Sequence, residues 1–248
     1  MPTSITHPSK RPPRPSLERR WGPHPGVLAA ATRAAAGQRV LEVGPGATPF
    51  PPATDFVDWI ARPELGERRG HVVDVNRERL PFDDRSFDFV YCRHVVEDLY
   101  DPSWLCREIA RVGRAGYVEA PSPMVEYSRG VDGAPACWRG YMHHRYLVWS
   151  HEEVLHFLPK YPIIEHLDLD IEPEVLDLLA ADALHWNTYH FWDGALTTKV
   201  LRHDHEFQVQ SSYAGVIGSA IADAIRTNSR LRERLLAHPA GHPAPRAR

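Results

Sequence analysis

Cysteine is scarce in this chain: Cys92, Cys106 and Cys137 are the only three in 248 residues. The number is odd, the spacing is wide and no CxxC pair occurs. Neither a disulfide framework nor a thiolate zinc site is expected, and a reducing compartment is. Long apolar runs are missing as well. No segment approaches the roughly 20 residues that a membrane-crossing helix needs, and the opening MPTSITHPSKRPPRPSLERRWG holds no apolar stretch of the signal-peptide kind. Nor is there an excess of one charge: 29 Lys and Arg stand against 32 Asp and Glu, a formal net charge of −3. A nucleic-acid partner would call for a basic excess on one face. The expectation is a cytoplasmic protein with neither a nucleic-acid nor a membrane partner.

What is present is an ordinary globular composition, 43% apolar and 25% charged, with material for a sizeable core. Proline is abundant, at 23 residues, and many of these sit near the two ends. Residues 1–22 and 239–248 therefore read as disordered, proline-rich tails. Between them the expected organisation is a domain over 23–211, with an insertion at about 124–150, followed by a helical segment over 212–238.

Strand and helix signals alternate through the domain. Pro25 to Ala36 reads as a helix closed by Gly37. RVLEV from Arg39, DFVDWI from Asp55, HVVDV from His71, FDFVYCR from Phe87 and GYVEAPS from Gly116 read as strands. Asp101-Pro102 supplies an N-cap and first-turn pair for a helix through WLCREIARV. Ser150 to Glu153 fits a capping box opening a helix over EEVLHFL. YPIIEHLDLDI and LTTKVLRHDHEFQVQ both have strand character. Alternating strands and helices imply a parallel sheet wound by right-handed crossovers, an α/β Rossmann-like fold with helices on both faces.

Ligands of such sheets sit at the carboxyl ends of the strands. After the first strand comes Glu42-Val43-Gly44-Pro45-Gly46, whose glycines allow a sharp turn and close backbone approach. The loop continues Ala47-Thr48-Pro49-Phe50-Pro51-Pro52, and its prolines argue against the helix that a pyrophosphate cradle requires. An adenosyl ligand without phosphates fits better, and the strand-end acids Glu42, Asp58 and Asp74, with Asn76, could serve its hydroxyl and amino groups.

The three segments VLEVGPG, DVNRERLPFDDRSFDFVYCRHVVEDLYDP and REIARVGRAGYVEAPSP, in that order, resemble the class I S-adenosylmethionine-dependent methyltransferases, over roughly residues 38–123. The resemblance implies a mostly parallel sheet with one antiparallel strand near its end, suited by the strand-like stretches near 163 and 198. It implies S-adenosylmethionine as cofactor, with Glu42, Gly44, Pro45 and Gly46 in the cofactor loop. Asp58 falls at the ribose position and Asp74 or Asn76 at the adenine position. Arg93 and His94 fall where the family lines the methionine end and the substrate mouth. Two departures stand out: prolines replace the usual helix after the glycine loop, and Thr48 takes the third small position.

The insertion is dense in aromatic and basic groups. Tyr141, Tyr146 and Trp149 are candidate substrate contacts in a lid, and Trp186 and Tyr189 form a second aromatic candidate cluster. A small-molecule acceptor and SN2-like methyl transfer are expected. Where the acceptor must lose a proton, His143, His144 and His94 are the candidate bases. No compact metal motif occurs among the 15 histidines, so no metal is expected, although His203 and His205 share one strand face and His185 and His190 lie near in sequence. A catalytically silent cofactor-binding subunit and a metal-assisted hydrolase stay open as alternatives. So does the role of the final helix, which could join two copies into a homodimer or pack on its own sheet.

Overall fold

The computed structural model describes residues 22–132, 138–201 and 209–237, with only the backbone of 209–211. Its central sheet has six strands: β1 (Val40–Val43), β2 (Asp55–Asp58), β3 (Arg69–Val72), β4 (Phe87–Arg93), β5 (Gly113–Pro121) and β8 (Asn187–Asp193). Their order is β3-β2-β1-β4-β5-β8, all parallel except β8, which runs antiparallel to β5. This is the expected Rossmann-like α/β sheet. The antiparallel strand lies elsewhere than expected, at 187–193 rather than near 163 or 198. The β-branched and aromatic run NTYHFWD has the composition of a strand; Asn187 to His190 and Trp192 are buried, and Phe191 and Asp193 are exposed.

Local chemistry explains the best-defined elements. Helix α2 (Pro102–Val112) starts at Asp101, whose carboxylate accepts hydrogen bonds from the amides of Ser103 (3.1 Å) and Trp104 (3.2 Å). It then buries Leu105, Cys106, Ile109 and Val112, a stripe at helical spacing. Strand β4 is apolar nearly throughout, as a central parallel strand covered on both faces must be.

One face of the sheet carries Leu41, Val43, Val57, Val90, Cys92 and Val118, packed against α2 and against a small second sheet. The other carries Val40, Phe89, Tyr91, Tyr117 and Tyr189, packed against α1 (Pro25–Ala34) and the far end of α5 (Val209–Ala237). Neither the connection from β1 to β2 nor that from β2 to β3 contains an α-helix; only a 3-10 turn, Pro63–Leu65, interrupts them. The proline-filled loop after β1 is the reason on the first of these crossovers.

The second sheet has the order β6-β7-β9, from β6 (Tyr146–His151), β7 (Val154–Pro159) and β9 (Thr197–Val200). Here the structure corrects the expected helix over EEVLHFL. Residues 146–159 form an antiparallel hairpin in which Glu152 and Glu153 make the two-residue turn at φ 48° and 61°. Two positive φ values in sequence match the turn that suits the strands' twist, and the Ser-x-x-Glu spacing that imitated a capping box is incidental. YPIIEHLDLDI is likewise no strand: Pro162–His166 is a 3-10 turn leading to α4 (Glu172–Ala181).

Helix α5 packs on its own chain. Tyr213, Ile217, Ala220, Ile221 and Ala224 join a core with α3 (Pro123–Tyr127), β6 and α4. Asn228 donates to the carbonyls of Leu184 and Asn187, at 3.0 Å each. Of the tails read at 1–22 and 239–248, only Gly22 lies within the described residues. His203, His205 and Cys137 also lie outside them.

Two outcomes are expected. A Cβ on Gly116 would come within 2.5 Å of the Val90 carbonyl and 2.7 Å of the Trp192 ring. Gly116→Ala should therefore cost about 1–3 kcal/mol, read as a lowered urea midpoint. His190, 2.8 Å from Ser150 Oγ between the two sheets, has its pKa lowered by burial from 6.5 to about 4. It stays neutral when folded and takes up a proton on unfolding, so this contribution is complete above pH 6.5 and is lost as pH falls toward 4. Urea midpoints measured across that window should decline less steeply in His190→Asn than in the parent.

Candidate cofactor site

Register brings the site together. Glu42 of β1 pairs with Tyr91 of β4, Val43 with Cys92, and Arg93 of β4 with Glu119 of β5. The loops leaving β1 and β4 therefore emerge side by side at the carboxyl edge of the sheet. Gly44 and Gly46 turn the first loop at φ 67° and 53°, backbone angles that a side chain resists. The second loop turns at His94, a non-glycine residue at φ 52°, a conformation uncommon for residues with a side chain. Between the loops lies a cavity of about 330 Å³ lined by Glu42, Gly44, Pro45, Gly46, Arg93 and His94, with Tyr91, Ala47, Thr48 and Gly22. The volume is within the range of small-ligand pockets.

Glu42 is the central charge. It is 2% exposed. Its Oε1 accepts the Phe50 amide at 2.8 Å, while Oε2 has no hydrogen-bond donor and faces the Arg68 guanidinium at 3.6 Å. Burial pushes its pKa up to about 7 against the lowering effects of the Phe50 amide and Arg68. The proline-rich loop is thus folded back on the acid: its amide satisfies one oxygen, and the Phe50 ring stacks on Tyr91 at 4.0 Å. Tyr91 in turn stacks on Tyr117 at 5.2 Å, forming an aromatic floor.

Glu119 is the anchor beneath. Its Oε1 accepts from Arg93 Nε at 3.1 Å and from Asn187 Nδ2 at 2.7 Å, and its Oε2 accepts from the Tyr117 hydroxyl. Its carbonyl accepts the His94 amide at 2.8 Å. His94 Nδ1 lies 3.2 Å from Glu97 Oε1.

Not every candidate from the sequence reaches this cavity. Asp58 is buried, but its carboxylate is held by Arg62 Nη1 at 3.0 Å, and the same guanidinium donates to the Gly46 carbonyl. Asp74 caps its own turn, accepting the Asn76 amide at 3.1 Å, and Asn76 accepts the Tyr100 amide at 3.0 Å. Tyr141, Trp149, Trp186 and Tyr189 are each under 5% exposed and belong to core clusters, whereas Tyr146 is half-buried and donates to the Tyr100 carbonyl at 3.1 Å. His143 and His144 sit together in a separate group with Asp98. His185 and His190 are both buried.

The residues of this constellation that sequence reasoning passed over are Tyr91, which lines the cavity, and Glu119, Arg62 and Arg68, which hold its neighbours. Tyr91 was findable, because a parallel neighbour of the strand ending in Glu42 must place a residue opposite it. The basic residues belong to irregular backbone, where no periodicity signals their direction.

Residues 25–118 match the family model described as "Methyltransferase domain", under half of the 248 residues. The match takes in α1, β1 to β4 and the first part of β5, most of the stretch that resembles the class I methyltransferases. No curated protein matches the chain. Among solved structures, the YcgJ protein from Bacillus subtilis is 23% identical over 39% of this chain and 49% of its own, with a TM-score of 0.33. An S-adenosylmethionine-dependent methyltransferase from Mesorhizobium loti is 15% identical over 67% of this chain and 94% of its own, with a TM-score of 0.38. The 1,6-didemethyltoxoflavin-N1-methyltransferase of Burkholderia thailandensis, solved with its namesake ligand and S-adenosylhomocysteine, is 16% identical over 40% of this chain and 51% of its own, with a TM-score of 0.33. The chain spans about half the length of the first and third of these.

The raised pKa of Glu42 makes a stability statement. Its carboxyl is protonated in the folded protein and ionised in the unfolded one between pH 4.5 and about 7. That contribution is present below 4.5 and is lost as pH rises through about 7. Glu42→Gln should therefore gain stability relative to the parent at pH 8 compared with pH 5, measured by urea unfolding at both.

Proposed function

We propose that the chain is an S-adenosylmethionine-dependent methyltransferase acting on a small-molecule acceptor by in-line, SN2-like displacement. The observation that carries this reading is the cavity itself: a buried strand-end carboxylate with one unsatisfied oxygen, a loop of positive-φ glycines, and an arginine on the neighbouring strand end. These groups fit the amino-acid end of S-adenosylmethionine. Glu42 and the backbone of Gly44 to Gly46 would take its ammonium side, and Arg93 would neutralise its carboxylate. The proteins solved with S-adenosylhomocysteine support the same cofactor.

The cofactor supplies a methyl group already activated on a sulfonium, so this chain's residues need to position the acceptor and exclude water. His94 lines the cavity and is held by Glu97, whereas His143 and His144 do not line it. His94 is therefore the base on this reading, taking the acceptor's proton where one must leave. Of the aromatic candidates, half-buried Tyr146 is the one available to an acceptor. Asp58 can serve a ribose only when Arg62 releases it, so Arg62 acts as a closure of that end of the pocket.

The Arg62 bridge also favours a second reading, a subunit that binds the cofactor without turnover. Among the described residues no helix is long and apolar enough to cross a membrane, and the buried free thiols of Cys92 and Cys106 suit a reducing cytoplasm.

Calorimetric titration with S-adenosylmethionine tests the proposal. Micromolar binding is expected, weakened at least about tenfold, or ~1.4 kcal/mol, in Glu42→Ala. Arg62→Ala should tighten it severalfold. No binding by the parent protein would remove the methyltransferase reading. Binding without release of S-adenosylhomocysteine on any acceptor tried would favour the silent subunit.

A further inference from the structure

A second constellation lies between the 3-10 turn Val96–Asp98 and the segment 141–145. We propose that Asp98, His143 and His144 form a binding site for one first-row divalent transition metal ion of the zinc class. The proposal is independent of the methyltransferase reading.

One ligand atom from each of the three residues lies within 4.8 Å of the others. His144 Nε2 and Asp98 Oδ1 are 3.9 Å apart. Ligand atoms bound tetrahedrally at about 2.0–2.1 Å stand roughly 3.4 Å apart, so this pair needs a shift of about half an ångström. His143 is exposed, and its ring meets the His144 ring edge-on at 4.4 Å. Two imidazoles and one carboxylate are a donor set that suits zinc and its neighbours and leaves a coordination position open.

The surroundings are those of a metal ligand sphere. His144 is buried, and its Nδ1 lies 2.7 Å from Oε1 of fully buried Glu126. With Nδ1 donating to that carboxylate, Nε2 presents its lone pair toward Asp98, the carboxylate–histidine arrangement that orients metal-binding imidazoles. Glu126 is itself fixed by Lys160 Nζ at 2.7 Å. Asp98 Oδ1 is shut off from solvent and accepts no hydrogen bond. A buried ionic network of His144, Glu126 and Lys160 would explain those three side chains. It would not explain an orphaned carboxylate oxygen facing His144, with a second histidine beside it.

The frame is rigid. The Arg145 amide donates to the Glu97 carbonyl at 2.8 Å, Arg145 Nε donates to the Asp98 carbonyl at 3.1 Å, and the guanidinium lies 4.0 Å above the Tyr100 ring. Glu97, which holds His94 at the edge of the cavity, is the residue next to Asp98. The ion would thus lie one residue from the acid that holds His94, which lines the cavity.

The test uses the full chain, stripped with a chelator and titrated with Co²⁺ as a spectroscopic probe, with Zn²⁺ as competitor. One equivalent of Co²⁺ should bind, with the visible absorption of a low-coordinate site, and Zn²⁺ should displace it. His143→Ala, at an exposed position, and Asp98→Ala should each weaken binding at least about tenfold, and the His203→Ala/His205→Ala double variant should leave it unchanged. Absence of stoichiometric Co²⁺ binding would overturn the proposal. So would binding that survives both His143→Ala and Asp98→Ala, or binding lost only in the double variant, which would put the ion elsewhere. No outcome depends on methyl transfer, so failure here and failure of the proposed function are separable.

Discussion

The parallel pairing of β1 with β4, and of β4 with β5, is the constraint on which the site depends. Because Glu42 stands opposite Tyr91 and Arg93 opposite Glu119, an acid, a base and an aromatic floor arrive at one sheet edge without any long-range loop having to carry them. Slipping β4 by one residue would turn Tyr91 and Arg93 to the opposite face. The apolar content of β4 and its neighbours, buried on both faces, makes that slip costly, so core packing and site geometry are one problem.

A second constraint follows from the prolines after β1. They remove the helix that normally covers this position, and the loop takes over part of its work: the Phe50 amide satisfies Glu42 and its ring roofs Tyr91. Arg62 then ties Asp58 to the loop's Gly46 carbonyl. On the proposed reading the Glu42 end of the pocket is preformed and its Asp58 end is latched by an arginine. Preformation lowers the ordering cost of binding, while the latch offers a place where binding and loop position are coupled.

Much of the fold was legible where local chemistry is unambiguous. The Asp101-Pro102 pair marked the start of α2, and the apolar run Phe87–Arg93 marked β4. The hairpin 146–159 was not legible, because its turn uses two glutamates at positive φ instead of an Asn-Gly pair, and because Ser150-x-x-Glu153 imitates a helix start. In the site, Glu42, Gly44, Pro45, Gly46, Arg93 and His94 were readable as residues that directly end or follow strands. Asp58 was readable as a strand-end acid, but its partner Arg62 lies in irregular backbone with no pattern to betray it. The aromatic groups at 141, 149, 186 and 189 were ambiguous between lid and core, and burial decides for the core. Asp98 with His143 and His144 could not be seen as a group, since 44 residues lie between the carboxylate and the first histidine and only the docking of two loops joins them.

The most direct measurement of the central account is amide hydrogen exchange with and without S-adenosylhomocysteine. Slowed exchange is expected, confined to peptides covering 42–50 and 91–98, the two loops that β1–β4 register places side by side, and 58–62, the end of β2 that Arg62 latches. Protection elsewhere, or none at a ligand concentration that saturates binding, would contradict the claim that this strand edge holds the cofactor.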